Sequence, residues 1–270
     1  MSRAAPPVAL TIAGSDPSGG AGIQADLKTF SALGAYGTAV ITALTAQNTR
    51  GVSGVHLVPA GFVTQQLRTL VDDVRLDAIK IGMLGTAELA DTVADFLRWH
   101  AHPVVVLDPV MVATSGDRLL SDDAVEALRR LLPLASLITP NLPESAQLLG
   151  TDIATDVATM REQARRLVAG GAERVLLKGG HLAEGKDSVD VFADREGVHE
   201  LAAVRIATKN THGTGCTLSS AIAALRPVRA SWLDATREAK DWLTRAIAAA
   251  DTLQVGHGSG PVHHFHHWWR

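Results

Sequence analysis

Two carboxylates, a lysine, a cysteine and two glycine-rich runs are the residues of this chain whose types and settings could do chemistry together. Asp108 stands in Leu107-Asp108-Pro109 and Glu144 in Pro140-Asn141-Leu142-Pro143-Glu144, each just after an apolar run of strand character. Such a pair suits Mg²⁺, which takes oxygen ligands, keeps several waters and bridges substrate phosphates instead of sitting in a closed protein cage. Singly, each has a plainer reading. Asp before Pro is a common turn residue, and Glu favours the first turn of a helix. Lys178 closes the run Val175-Leu176-Leu177 and leads into Gly179-Gly180-His181, where its cation could meet nucleotide phosphates.

The most telling run is Asn210-Thr211-His212-Gly213-Thr214-Gly215-Cys216, which opens onto a helical pattern. Unpaired amides of Gly213, Gly215 and Cys216 could converge there as an anion hole for a phosphoryl group in transfer. The same amides and the helix dipole would favour a Cys216 thiolate, able to accept a substrate hydroxyl proton. A small buried structural cysteine is the plainer alternative. The other glycine run, Gly14-Ser15-Asp16-Pro17-Ser18-Gly19-Gly20-Ala21-Gly22, lets backbone amides approach a ligand at a helix start, with Asp26 one turn further on; a flexible turn would also use these residues.

Two motif matches fail on their context. Gly20-Ala21-Gly22-Ile23-Gln24-Ala25 fits the dinucleotide fingerprint, but Leu27 through Val71 holds no Asp or Glu to take the ribose hydroxyls. Gly180-His181-Leu182-Ala183-Glu184-Gly185-Lys186 resembles a phosphate-binding P-loop, but Asp187 stands where Ser or Thr must ligate Mg²⁺, and the next segment reads as extended.

The elements that position these residues alternate. Strands are expected at Val8–Ile12, Thr38–Leu44, Ala78–Ile81, Val104–Leu107, Leu137–Thr139 and Val175–Lys178. Helices are expected at Ile23–Leu33, Phe62–Asp73, Ala87–Trp99, Asp122–Leu131, Glu144–Leu149, Val157–Ala169, Cys216–Leu225 and Trp232–Ala250. This order predicts an α/β fold on a mostly parallel sheet, with ligands beyond the strands' carboxyl ends. Ser188–Ala193 and Val198–Leu201 read as a hairpin, so one edge of the sheet should be antiparallel.

Composition narrows the functions. A net charge of −3 with scattered Lys and Arg offers no footprint for nucleic acid. One cysteine permits no internal disulfide and fits a reducing compartment. No stretch reaches membrane-spanning length and the start lacks a cleavage-site pattern, so a cytoplasmic protein acting on small molecules is expected.

Taken together, Ala13-Gly14-Ser15-Asp16, Gly19–Asp26, Thr42–Thr49, Lys80-Ile81-Gly82-Met83-Leu84, Asp108-Pro109-Val110-Met111, Thr139–Glu144, Lys178–His181 and Lys209–Cys216 resemble the hydroxymethylpyrimidine/phosphomethylpyrimidine kinase family of the ribokinase-like superfamily, nearly end to end. The resemblance implies one domain over 1–270, a three-layer αβα sandwich with a mostly parallel central sheet and an antiparallel edge. It implies ATP- and Mg²⁺-dependent phosphorylation of 4-amino-5-hydroxymethyl-2-methylpyrimidine, then of its monophosphate, for thiamine assembly, by a homodimer. By motif position, Gln47 would read the pyrimidine's ring nitrogen and amino group, with Gly14, Asp26 and Met83 also in that pocket. Asp108 and Glu144 would serve Mg²⁺; Asn141, Lys178, Thr211 and Thr214 would meet ATP phosphates; Cys216, with Gly213 and Gly215, would stand where related sugar kinases carry an aspartate base. Thr114 replaces a lysine frequent in the family, and Leu225–Ala230 is a short connection. The tail His263-His264-Phe265-His266-His267-Trp268-Trp269 reads as structural. Alternatives are a pyridoxal-type kinase of the same fold and a pyrimidine-binding protein without catalysis.

Overall fold

Short aliphatic runs make strands here because Val, Ile and Leu can be buried on both faces of a parallel sheet. The computed structural model describes residues 5–100, 104–111, 122–180, 182 and 187–269. In chain order these form β1 (Val8–Ala13), α1 (Gly22–Ala32), β2 (Tyr36–Ile41), β3 (Ala43–Asn48), β4 (Gly51–Leu57), α2 (Ala60–Val71), β5 (Ala78–Ile81), α3 (Ala87–Trp99) and β6 (Val105–Leu107). Then follow α4 (Asp122–Leu131), β7 (Leu137–Ile138), α5 (Leu142–Leu149), α6 (Val157–Ala169), β8 (Val175–Leu177), β9 (Asp187–Ala193), β10 (Val198–Val204), α7 (Thr214–Leu225) and α8 (Trp232–Ala248).

Eight of the strands form one sheet in the order β10-β9-β8-β7-β6-β5-β1-β2. It is parallel from β2 to β8, and β9 and β10 add the expected antiparallel edge. Alternate residues of each strand feed two cores. Leu10, Ile12, Ile79, Ile81, Leu107 and Ile138 pack with residues of α2, α3, α4 and α6 on one face. Ala9, Ala78, Val106, Leu137 and Leu176 pack with α1, α7 and α8 on the other. On α3, Leu89, Val93 and Phe96 recur at helical spacing and are buried, each worth roughly 2 kcal/mol of transfer free energy. The result is the three-layer αβα sandwich.

Because β1 leads to β2 on one side while β5 pairs on the other, the strand order reverses at β1. That is the switch point where the carboxyl ends of an open sheet part to leave a crevice. One expected element is divided. The strand foreseen over Thr38–Leu44 breaks at Thr42, whose amide donates to Ala13 O (3.0 Å) and whose hydroxyl donates to Met83 O (2.7 Å). Beyond it, β3 leaves the main sheet and pairs with β4 as a separate two-stranded unit; the glycines at 51 and 54 leave β4 without a strand pattern in the sequence. Thr114 and the Gly185-Lys186 turn lie outside the described residues, and Asp187 opens a strand, as expected for a segment that is not a P-loop.

Candidate functional site

Five of the six parallel strands lead into a residue singled out from the sequence: Gly14 after β1, Met83 after β5, Asp108 after β6, Asn141 after β7 and Lys178 after β8. The sheet brings them to one edge. At the switch point a side chain on Gly14 would place its Cβ 2.5 Å from Met83 Cε and 3.6 Å from Ala43 O. Glycine is therefore what admits the Met83 methyl against β1. Gln47 and Thr45 share one face of β3, with Thr45 Oγ1 3.2 Å from Gln47 Oε1.

A few residues along the edge lies the charged cluster. Lys178 Nζ donates to Asp108 Oδ1 at 2.7 Å and lies 4.0 Å from Glu144 Oε2. Thr139 Oγ1 also donates to Asp108 Oδ1 (3.0 Å). Burial disfavours the Asp108 charge, but Lys178 and Lys80 outweigh it and hold its carboxyl below the usual range. Burial likewise opposes the Lys178 charge, and Asp108 and Glu144 override it and raise its pKa. The lysine's backbone is set by a buried pair one residue on. Gly179 N donates to Asp190 Oδ1 (2.9 Å), whose Oδ2 accepts from Lys240 Nζ (2.6 Å).

Asn141 and Glu144 do two jobs. Asn141 Oδ1 accepts from Glu144 N (2.9 Å) and Glu144 Oε2 accepts from Asn141 N (2.7 Å), a capping box that starts α5. The plainer helix-start reading of Glu144 thus holds, and so does its place beside Asp108. Burial pushes the Glu144 carboxyl up to about 7, with Lys178 opposing and Asp108 reinforcing. The acid therefore gives up its proton near neutrality. We expect kcat/KM to rise with pH through about 7 as the Glu144 carboxylate forms, and Glu144→Gln to abolish that acid limb along with most of the activity. A pH–rate profile checks this; an unchanged limb in the variant would assign it elsewhere.

Among the described residues no cluster of three or more acidic, His or Cys side chains could enclose a metal. Asp108 and Glu144 fit Mg²⁺ in the looser form expected of it, as two carboxylates near a cation, with waters and phosphate oxygens completing the shell.

Over this cluster sits the 210–216 loop. Gly213 caps α7 at φ 78°, a left-handed conformation natural to glycine. The amides of Gly215 and Cys216, in the first turn of α7, have no helical carbonyl to bond. A Cβ on Gly215 would lie 3.2 Å from Lys178 Nζ and 3.5 Å from Asp108 Oδ2, so the loop's backbone faces the charged pair directly. Thr211 and Thr214 flank it, half-buried, with Thr214 N bonded to Thr211 O (3.3 Å).

Two expectations are corrected. Asp26 does not reach the pocket: it is fully buried and its carboxylate accepts from Lys80 Nζ (3.0 and 2.8 Å), Thr11 Oγ1 (2.6 Å) and Ser220 Oγ (2.7 Å). One turn into α1, it faces the sheet and not the crevice. Lys80→Met, which leaves that carboxylate buried without its cation, is expected to cost about 3–5 kcal/mol of stability, read as a shift in urea midpoint. Cys216 is half-buried and its thiol is pushed up to about 11, by burial first, against Lys80, with Asp26 and Asp108 adding. It rests as a thiol and not as the favoured thiolate, because burial, with Asp26 and Asp108 adding to it, outweighs the pull of Lys80. Cys216→Ala, which keeps the backbone amide, is expected to lower kcat less than about a hundredfold, the low end for a lost general base; a loss beyond about 10³ would restore the side chain as the proton acceptor.

Two residues quoted from the motifs without a role prove central. Asp16 accepts from Ser18 N (2.8 Å), Ser18 Oγ (2.7 Å), Gly20 N (3.2 Å), Ala21 N (2.8 Å) and His212 Nε2 (2.8 Å). Burial works against its charge, but these bonds hold the carboxyl well below the ordinary range. His212 in turn fastens the first glycine loop to the second. The signal was present in Asp16-Pro17-Ser18-Gly19, an Asp bonding its own backbone two residues on. The histidine tail is structural as expected: His264 Nε2 lies 3.0 Å from Thr217 Oγ1, and His263 N donates to Ala246 O (3.0 Å).

A sequence profile described as phosphomethylpyrimidine kinase matches residues 16–263. The chain is 60% identical over 262 residues to a hydroxymethylpyrimidine/phosphomethylpyrimidine kinase of Escherichia coli, covering 97% of this chain and 98% of that one. Among solved structures it resembles an ADP complex of Bacillus subtilis pyridoxal kinase, with a TM-score of 0.90, 37% identity and coverage of 98% and 99%. It also resembles a phosphomethylpyrimidine kinase from Clostridium difficile, with a TM-score of 0.79, 39% identity and coverage of 89% and 99%.

Proposed function

Since the chain belongs to the phosphomethylpyrimidine kinase family, we propose that it transfers the γ-phosphoryl group of ATP to the hydroxymethyl oxygen of 4-amino-5-hydroxymethyl-2-methylpyrimidine and then to the resulting monophosphate. The reading places residues 1–270 in one catalytic unit that serves thiamine assembly. The observation that carries it is the seating of Gly215 against both Lys178 and Asp108. It sets orphan amides, a cation and a carboxylate around one spot, on the loop whose His212 lies 3.4 Å from the Gln47 amide.

Phosphoryl transfer passes through a loose transition state, so the chain's task is to align the reactants and neutralise charge. Gln47, Gly14 and Met83 hold the pyrimidine at the switch point. The amides of Gly213, Gly215 and Cys216 and the Lys178 cation stabilise charge on the moving phosphoryl oxygens. Asn141, Thr211 and Thr214 offer further donors to the nucleotide phosphates. Asp108 and Glu144 would hold Mg²⁺, which neutralises phosphate charge when bound. Asp26 acts from beneath, tying α1 to β5 through Lys80 and to α7 through Ser220.

The test is product analysis by mass with ATP, Mg²⁺ and either the pyrimidine or pyridoxal. Pyrimidine monophosphate followed by diphosphate supports both transfers. Pyridoxal phosphate as the only product would move the chain to the second reading, which its 0.90 TM-score to a pyridoxal kinase keeps in view. No product at all would leave a binding protein.

A further inference from the structure

His212 is 7% exposed, is bonded to an acid that is 1% exposed, and lies 3.4 Å from the side-chain nitrogen of Gln47. The hydrogen count around these groups decides more than their distances. Asp16 is an ionised carboxylate and can only accept, so His212 Nε2 carries a hydrogen and donates to Oδ2, whether the ring is neutral or charged. That nitrogen has no lone pair left. A Gln47 –NH₂ pointing at it would set donor against donor.

The other end of the amide has the matching difficulty. Thr45 Oγ1 lies 2.8 Å from Ser15 O, a carbonyl that can only accept, so the single hydroxyl hydrogen is spent there. At 3.2 Å from the amide, the hydroxyl can then offer Gln47 only a lone pair. Both conflicts vanish together when the amide is turned by 180°, an exchange of two nearly isosteric ends. Oε1 then meets the His212 Nε2–H at 3.4 Å as the longer branch of a three-centre bond shared with Asp16 Oδ2, and Nε2 donates to Thr45 Oγ1.

We propose that His212 and Thr45 lock the Gln47 amide with its oxygen on the His212 side and its nitrogen on the Thr45 side, making His212 a specificity-determining positioning residue. The inference rests on the proposed reading of Gln47 as the residue that meets the pyrimidine. In the locked orientation Oε1 keeps a lone pair and Nε2 keeps a hydrogen for the ligand. They match a ring that offers an exocyclic amine beside an unprotonated ring nitrogen. They mismatch the 4-oxo analogue, which offers a carbonyl beside a ring N–H and so reverses donor and acceptor at both positions. To accept that analogue the amide must turn back and forfeit its bonds to both neighbours. Gly20 is what admits the ring to this position, because a Cβ there would lie 2.5 Å from His212 Cδ2.

The experiment is calorimetric binding of 4-amino-5-hydroxymethyl-2-methylpyrimidine and of its 4-oxo analogue to the full chain, without nucleotide. The wild type is expected to favour the amino compound at least about a hundredfold, since a site built for one hydrogen-bond pattern rejects the reverse strongly. His212→Phe is expected to cut that ratio by tenfold or more. Thr45→Val, which releases the amide from its other end, should relax it in the same sense and serves if the histidine variant does not fold. Equal weakening of both ligands in both variants, with the ratio kept, would reduce His212 to a loop clasp and overturn the proposal. Gln47→Ala separates the two levels: amino-compound affinity unaltered by it would remove the underlying reading of Gln47, whereas a loss there with an unchanged ratio in the lock variants would remove only the lock.

Discussion

Replacing Lys178 with methionine is expected to lower kcat about 10³-fold while pyrimidine affinity changes little. Its Nζ is the cation that the 213–216 backbone faces, 3.2 Å from the position of a Cβ on Gly215. Preorganised charge aimed at a developing oxyanion is worth more inside a site than in water, and one lost donor commonly costs 10²–10³. Here the loss is compounded. Asp108, 1% exposed, would lose the partner that sits 2.7 Å away, so its carboxyl would shift upward and its negative charge would weaken with it. Steady-state kinetics with both substrates, beside calorimetric binding of the pyrimidine, distinguishes the cases. If KM for ATP rose and kcat held, Lys178 would serve nucleotide binding alone.

The second large effect is expected from Gly213→Ala. An added Cβ would sit 1.8 Å from Gly20 O, a backbone atom with nowhere to go, and φ 78° is itself strained for alanine. The loop must shift, and a displacement near 1 Å of a positioning element costs on the order of 10² in rate. Because Gly20 belongs to the loop bonded by Asp16, pyrimidine affinity should fall too, alongside kcat. Gly215→Ala is the control. Its Cβ would meet the flexible tip of Lys178, which can give way, so a loss of only about tenfold is expected. Equal effects of the two substitutions would argue that the hole is not built on this contact between loops.

Much of this was legible in the chain. Aliphatic runs separated by helical patterns require a parallel sheet covered on both faces, and with it a carboxyl edge on which Asp108, Asn141 and Lys178 must all emerge. Ala87–Trp99, Asp122–Leu131 and Val157–Ala169 were readable to the residue because their periodicity runs from end to end. Less legible was whatever depended on the path of a single strand. Thr42 sits in an unbroken apolar stretch, and only its bonds to Ala13 and Met83 turn the chain out of the sheet.

The roles of charged and polar groups divide along the same line. Residue type and local spacing determined which groups could bind phosphate and metal, since amide-rich helix starts and acids after strands act through the backbone beside them. Tertiary structure alone decided that Asp26 is locked under the site by Lys80 and Ser220, 54 and 194 residues away, that Cys216 keeps its proton, and that His212 joins Asp16 across 196 residues to face Gln47. Burial and pair distance set the charge of an ionisable group, and both arise from contacts between segments far apart in sequence.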